Sequence, residues 1–166
     1  MKAGIVYTSR TGNTERIARA LASAFRLEAV PVEQAPDPET FDLLLLGSGV
    51  YNGLPDSPML PYLKRCRRQK IGLFLTMGAD PARSRALQRA AELLDQCDIV
   101  ATFSCRGRYT SRRIEEMKRR PSTSPHAWTP EKAARVAEAQ KHPNETDLAR
   151  ALETFRPLLD LPDNGS

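Results

Sequence analysis

Hydroxyl, glycine and amide side chains crowd one short stretch near the start, Ser9-Arg10-Thr11-Gly12-Asn13-Thr14. Residues of these types can seat an anion. Ser9, Thr11 and Thr14 offer O–H donors, and Gly12 lets the backbone come close or take φ > 0. Before them runs the apolar segment Ile5-Val6-Tyr7, and after them Ile17, Leu21 and Ala24 recur at helical spacing. A strand therefore delivers the chain into a tight loop that opens a helix. The free N–H groups of that helix start, with the dipole behind them, complete the seat. The plainer reading is a polar turn with a good helix cap. Neither G-x-x-x-x-G-K-[ST] nor G-x-G-x-x-G occurs, so the anion would be held without a loop lysine or the dinucleotide fingerprint.

A second group of turn residues, Ser48-Gly49-Val50-Tyr51-Asn52-Gly53, follows the apolar run Phe41–Gly47 and reads as a loop. A third, Thr76-Met77-Gly78, leaves the run Ile71–Thr76. Other candidates are thinner. Cys105 stands beside Arg106 and Arg108, which could lower a thiol pKa, though a small buried residue is the simpler expectation. His126 and His142 lack metal-ligand spacing, and His142 reads as a local contact at a helix start. No catalytic constellation and no metal set emerges.

The elements that must position these groups alternate in type. Strands are expected at Leu27–Val32, Phe41–Gly47, Ile71–Thr76 and Asp98–Ser104, besides the first. Pro31 marks the second as an edge, and the continuous run Phe41–Gly47 suits the middle of a parallel sheet. Ser57-Pro58, Asp80-Pro81 and Thr129-Pro130 read as helix caps followed by first-turn prolines. A last helix opens near Asn144, with Leu148, Leu152, Phe155 and Leu159 as its buried stripe. The alternation predicts an α/β fold: a doubly wound, five-stranded parallel sheet in the order 2-1-3-4-5, with helices on both faces. Its switch point lies between strands 1 and 3, where both polar loops would meet.

The chain has 166 residues, enough for one domain with a full core. One domain over 1–166 is expected, with an insert at about 106–143. Net charge is +5. Residues 106–120 hold seven basic and two acidic side chains, 7 − 2 = +5, so the excess sits in that one segment. So local a signal does not suit a nucleic-acid surface. Three scattered cysteines, no signal peptide and no run of roughly 20 apolar residues point to a cytoplasmic protein with reduced thiols and no membrane span.

Ser9–Thr14, Gly47-Ser48-Gly49-Val50-Tyr51-Asn52-Gly53, Ser104-Cys105-Arg106-Gly107 and His142–Leu148, in this order and spacing, together resemble the short flavodoxin family. The resemblance implies FMN, held by Ser9–Thr14 at its phosphate, by Ser48–Gly53 along one ring face with Tyr51 stacked, and by Thr76–Gly78. The Asn52-Gly53 peptide would turn its carbonyl toward flavin N5. The tyrosine that many flavodoxins place on the second face is missing, and Met77 would pack there instead. The function implied is an electron carrier between a reductase and an acceptor enzyme rather than a self-contained enzyme. The acidic surface of familiar flavodoxins is also missing, so the arginines of 106–120 point to a partner with an acidic docking face. Two other readings stand beside it: an NAD(P)H-dependent FMN or quinone reductase on the same fold, and a flavin-free module acting through the basic insert.

Overall fold

Leu43, Leu44, Leu45 and Leu46 turn alternately to the two sides of a sheet, and all four are buried. Leu43 and Leu45 join a cluster with Ile5, Ile17, Leu21, Phe74 and Phe155, while Leu44 and Leu46 join one with Met59, Leu63, Ile71 and Leu73. A strand apolar on both faces must be covered on both. In the computed structural model, which describes residues 1–160, helices do this.

The strands are β1 (Ala3–Thr8), β2 (Ala29–Pro31), β3 (Leu43–Tyr51), β4 (Leu54–Pro55), β5 (Lys70–Met77) and β6 (Asp98–Arg106). The helices are α1 (Asn13–Phe25), α2 (Leu60–Arg65), α3 (Ala86–Leu93), α4 (Ser111–Lys118), α5 (Pro130–Ala139) and α6 (Glu145–Leu159). The main strands are parallel in the order β2-β1-β3-β5-β6, the expected 2-1-3-4-5, and β2 is the edge. Helices α1 and α6 cover one face, where the Phe74 and Phe155 rings meet edge to face at 6.1 Å. Helices α2 and α3 cover the other. The last six residues of the expected domain lie outside the described residues.

Three expectations need correction. The segment 48–53 is not a loop throughout: β3 runs on to Tyr51 and pairs antiparallel with β4, Val50 opposite Pro55 and Tyr51 opposite Leu54. Asn52 (φ 53°) and Gly53 (φ 73°) make the tight turn, since both central residues of this hairpin type must take positive φ. Ser57-Pro58 does not start a helix; α2 begins at Leu60, with Met59 before it and no side-chain cap. Asp80 caps only the short 3₁₀ turn Pro81–Arg83, and α3 starts after a break. Thr129 and Asn144 do cap α5 and α6, the latter through a reciprocal pair with Asp147.

Between β6 and α6 the insert folds back as α4 and α5. Thr110 caps α4, accepting from Arg113 N. Tyr109 is gripped through its backbone by Gln140 of the α5 end, which accepts from Tyr109 N (2.7 Å) and donates to Tyr109 O (3.1 Å). Asn13 Nδ2 donates to Arg108 O (2.9 Å), tying the insert to the start of α1.

Candidate functional site

Helix α1 begins without a side-chain cap. Its N-cap is Gly12, in the left-handed region at φ 89°, and a methyl group built there would meet nothing within 4 Å. The N–H groups of Asn13 and Thr14, in the first turn, have no intrahelical acceptor. Ser9 Oγ braces the loop from inside, accepting from Gly12 N (3.1 Å) and Glu15 N (3.3 Å). The exposed Thr11 hydroxyl accepts from Asn13 Nδ2 and still has its own proton to donate. Thr14 is buried, its hydroxyl 2.8 Å from that of Thr76 at the end of β5. Whichever hydroxyl accepts in that pair keeps its proton for a third partner. The loop is thus an open anion cradle: uncapped amides, free hydroxyl protons and room over Gly12.

The hairpin of β3 and β4 forms the next wall. Arg10, inside the loop, reaches across to Asp56 with paired bonds, Nε to Oδ2 at 2.7 Å and Nη2 to Oδ1 at 2.6 Å. Its guanidinium lies 4.2 Å from the centroid of the Tyr51 ring. Asp56 is only 2% exposed and also accepts from Ser57 N (2.8 Å). Burial, then the Asp56 carboxylate, raises the Tyr51 hydroxyl above its ordinary pKa, so that ring is neutral near pH 7. Ser48 is placed differently from the expectation. It is buried under the hairpin, accepting from Asp56 N (2.9 Å) and donating to Gly49 O (2.7 Å), and it does not line the open space. Its role is to hold Asp56 in place.

Both walls open on one cleft of about 1340 Å³ beyond the carboxyl ends of β1, β3 and β5. Ser9, Arg10, Thr11, Asn13, Thr14, Gly49, Val50, Tyr51, Asn52, Gly53, Thr76, Met77 and Gly78 all line it. Of the residues predicted for the site, only Ser48 and the side-chain-free Gly12 are missing from that surface.

Met77 lines the cleft from the core side. It is 6% exposed and belongs to the core on the α2–α3 face. The aromatic group at this point is Tyr109, from the insert, set against Gly78: a methyl on Gly78 would land on the Tyr109 ring. Sequence reasoning missed Tyr109 and Asp56. Each acts on a partner roughly thirty or more residues away, and neither sits in a motif.

Cys105 points inward beside Phe103, Ala151 and Phe155. Burial, and after it the Asp147 carboxylate, pushes its thiol up to about 12, so the neighbouring arginines do not activate it. His142 Nδ1 lies 2.6 Å from Asp147 Oδ2 and serves the α6 start. Among the described residues no group of three metal-binding side chains occurs, and no helix is long and apolar enough to cross a membrane.

The family model of the flavodoxin domain matches residues 4–156. The chain belongs to this family. A curated relative, the flavodoxin-like domain-containing protein BilS of Clostridioides difficile, is 26% identical over 162 residues, covering 91% of this chain and 92% of its own. Solved flavodoxin-fold structures are similar in architecture. The Megasphaera elsdenii flavodoxin in its two-electron reduced form has a TM-score of 0.52 and 24% identity, covering 82% of this chain and 98% of its own. A Lactobacillus acidophilus flavoprotein, solved in complex with FMN, has a TM-score of 0.53 and 18% identity, covering 69% and 97%. At these identities the likeness is one of fold. Arg112, Arg113 and Glu116 of α4 and Arg135 of α5 form one wall of the cleft.

Proposed function

We propose that this flavodoxin-family chain binds FMN and carries electrons between a reductase and an acceptor enzyme. One observation carries the reading: the uncapped start of α1 and the Tyr51 hairpin open into the same cleft at the sheet's switch point. An anion at one end and a flat ring beside it is the shape of a flavin mononucleotide. Bound FMN would supply one- and two-electron chemistry, and the protein sets its environment.

The residues fit distinct parts of the task. The Asn13 and Thr14 amides, with the Thr11 hydroxyl, take the phosphate. Tyr51, its ring backed by Arg10, offers a face to the isoalloxazine, and Tyr109 over Gly78 offers a second aromatic surface in place of Met77. Arg10 keeps its charge bound to Asp56 and so braces the loop against the hairpin.

For partners, the exposed arginines of α4 and the residues just after it suit an acidic docking face. Arg112 is 91% exposed, Arg113 and Arg119 are exposed, and Arg120 is half-buried. Rim charges of this kind act mainly on encounter rate.

The test is an absorption spectrum of the purified protein after addition and removal of excess FMN, followed by NAD(P)H turnover. Retained blue and near-ultraviolet flavin bands with no NAD(P)H oxidation support the carrier. Rapid steady oxidation makes the chain a nicotinamide-dependent reductase, and loss of all flavin leaves a flavin-free module.

A further inference from the structure

Arginine crowds the cleft beyond what one flavin phosphate requires. Nine arginines line it against two acids, Asp80 and Glu116. Arg10 is neutralised by Asp56, and Arg112 and Arg113 share Glu116. The remaining six, Arg83, Arg85, Arg89, Arg106, Arg108 and Arg135, make no ion pair among the described residues.

Three of these six bond to backbone carbonyls. Arg89 donates to Gly53 O (3.2 Å), Arg108 to His142 O (3.4 Å) and Arg106 to Gly78 O (3.5 Å). A carbonyl orients a guanidinium without cancelling its charge. The acceptors belong to the hairpin turn, the α6 start and the β5 exit, so separate parts of the fold converge on one positive surface. The field is felt nearby: Lys132 has its pKa lowered, first by burial and then by Arg120, Arg135 and Arg113.

A solvated face mixes charges of both signs on a convex surface. Here one sign lines a concavity, which focuses potential inward, while self-repulsion costs stability. The space of about 1340 Å³ also exceeds the usual range of about 300–1,000 Å³ for a small-molecule site.

We propose that the cleft holds, beside the flavin, a second site for a small organic polyanion, bearing two or more carboxylate or phosphate groups, contacted by Arg85, Arg89, Arg106 and Arg108. The planar forks of these arginines suit carboxylate and phosphate oxygens. The inference rests on the FMN reading for its neighbour, not for the arginines themselves.

Isothermal titration of citrate and of pyrophosphate tests it, on the protein with and without FMN, with acetate as the single-charge control. An oligoglutamate peptide stands for an acidic protein. Citrate or pyrophosphate should bind the FMN-loaded protein at least about tenfold more tightly than acetate. Arg85→Ser with Arg89→Ser, and separately Arg106→Ser, should each weaken that binding about tenfold or more, as expected for lost bonds to a charged group. FMN affinity and thermal midpoint should stay within error. Arg89→Lys, keeping charge but losing the fork, should lie between wild type and serine.

Unchanged binding in the variants overturns the proposal. So does competition between the probes and FMN, which would put them in the phosphate cradle. Oligoglutamate binding where citrate fails assigns the arginines to a protein surface instead. If the protein takes up no FMN, the flavin reading fails by itself, and the flavin-free titrations still decide whether these arginines form a polyanion site.

Discussion

Arg10 and Asp56, 46 residues apart, are joined by two short bonds that lock the loop after β1 to the hairpin after β3. The pair crosses the switch point of the sheet, so the two halves of the proposed cofactor site are fixed to each other without any cofactor contact. Asp56→Ala removes a buried acceptor from both Arg10 and Ser57 N. It should lower stability by about 2 kcal/mol and loosen FMN, as bonds to charged groups are worth about 1.5–3 kcal/mol. Asp56→Asn, which still accepts, should fall between. Urea melts with FMN titrations would check this, and an undiminished FMN affinity in Asp56→Ala would separate the pair from the site.

The cradle itself is tested by comparing ligands. Thr11→Val with Thr14→Val should weaken FMN far more than riboflavin, because only FMN carries the phosphate. Thr14→Val also strands the buried Thr76 hydroxyl, costing about 1–3 kcal/mol, whereas exposed Thr11→Val should leave stability alone. Gly12→Ala meets no clash, yet forces a side chain into φ 89°, for about 1–2 kcal/mol. Fluorescence titration with both flavins reads the first effect. Equal losses for FMN and riboflavin would contradict the phosphate assignment.

Aromatic cover is the third point. Tyr51→Ala and Tyr109→Ala should each weaken FMN and shift its first reduction potential with the fold intact. Dithionite titration would report both. A silent Tyr109→Ala would mean that its ring serves only to seat the insert on Gly78.

Two thiols give a pH dependence whose sign is fixed. Burial pushes Cys66 and Cys105 from 9.0 up to about 12. A group whose pKa is raised by folding stabilises fully below its unfolded value, and that contribution is lost as pH rises from about 9 through 12. Urea midpoints should therefore fall between pH 8.5 and 10.5, less steeply in Cys105→Ala. At pH 8, iodoacetamide should mark the half-buried Cys97 first.

The basic helix predicts a salt effect. Replacing Arg112, Arg113, Arg119 and Arg120 by Ser should slow electron transfer to the natural partner at low salt and leave FMN affinity nearly unchanged. Screening over about 8–10 Å should erase the difference at physiological strength and above. Transfer rates measured across a salt series decide it; a wild type indifferent to salt removes the docking role.

Much of this was legible from local pattern. The β1–loop–α1 unit, the central run of leucines and the Asn144 cap each depend on neighbours within a few residues. The hairpin was legible only in part. Asn52-Gly53 is a strong turn signal, but Ser48 and Gly49 look like loop residues, and only parallel pairing of Ser48 with Thr8 and Leu75, and of Gly49 with Thr76, makes them strand. Ser57-Pro58 carried a cap signal that is not used, because the chain turns at Asp56, whose carbonyl accepts from Met59 N, before α2 starts at Leu60. Helix α4 is mostly charged, so it has little apolar periodicity to detect, and Met117 is its only buried residue. Asp56 and Tyr109 gain their roles from partners that only folding brings near.

The bonds from Asn13 to Arg108 O, and from Arg16 to Pro143 O and Glu145, span 95 to 129 positions. The loop after β1 is thus held by groups from a distant part of the chain, at residues 108, 143 and 145. The proposed flavin cradle is therefore complete only where the segment after β6 and the start of α6 close over α1. A fragment ending at residue 105 would contain every motif residue of the cradle and still bind FMN poorly.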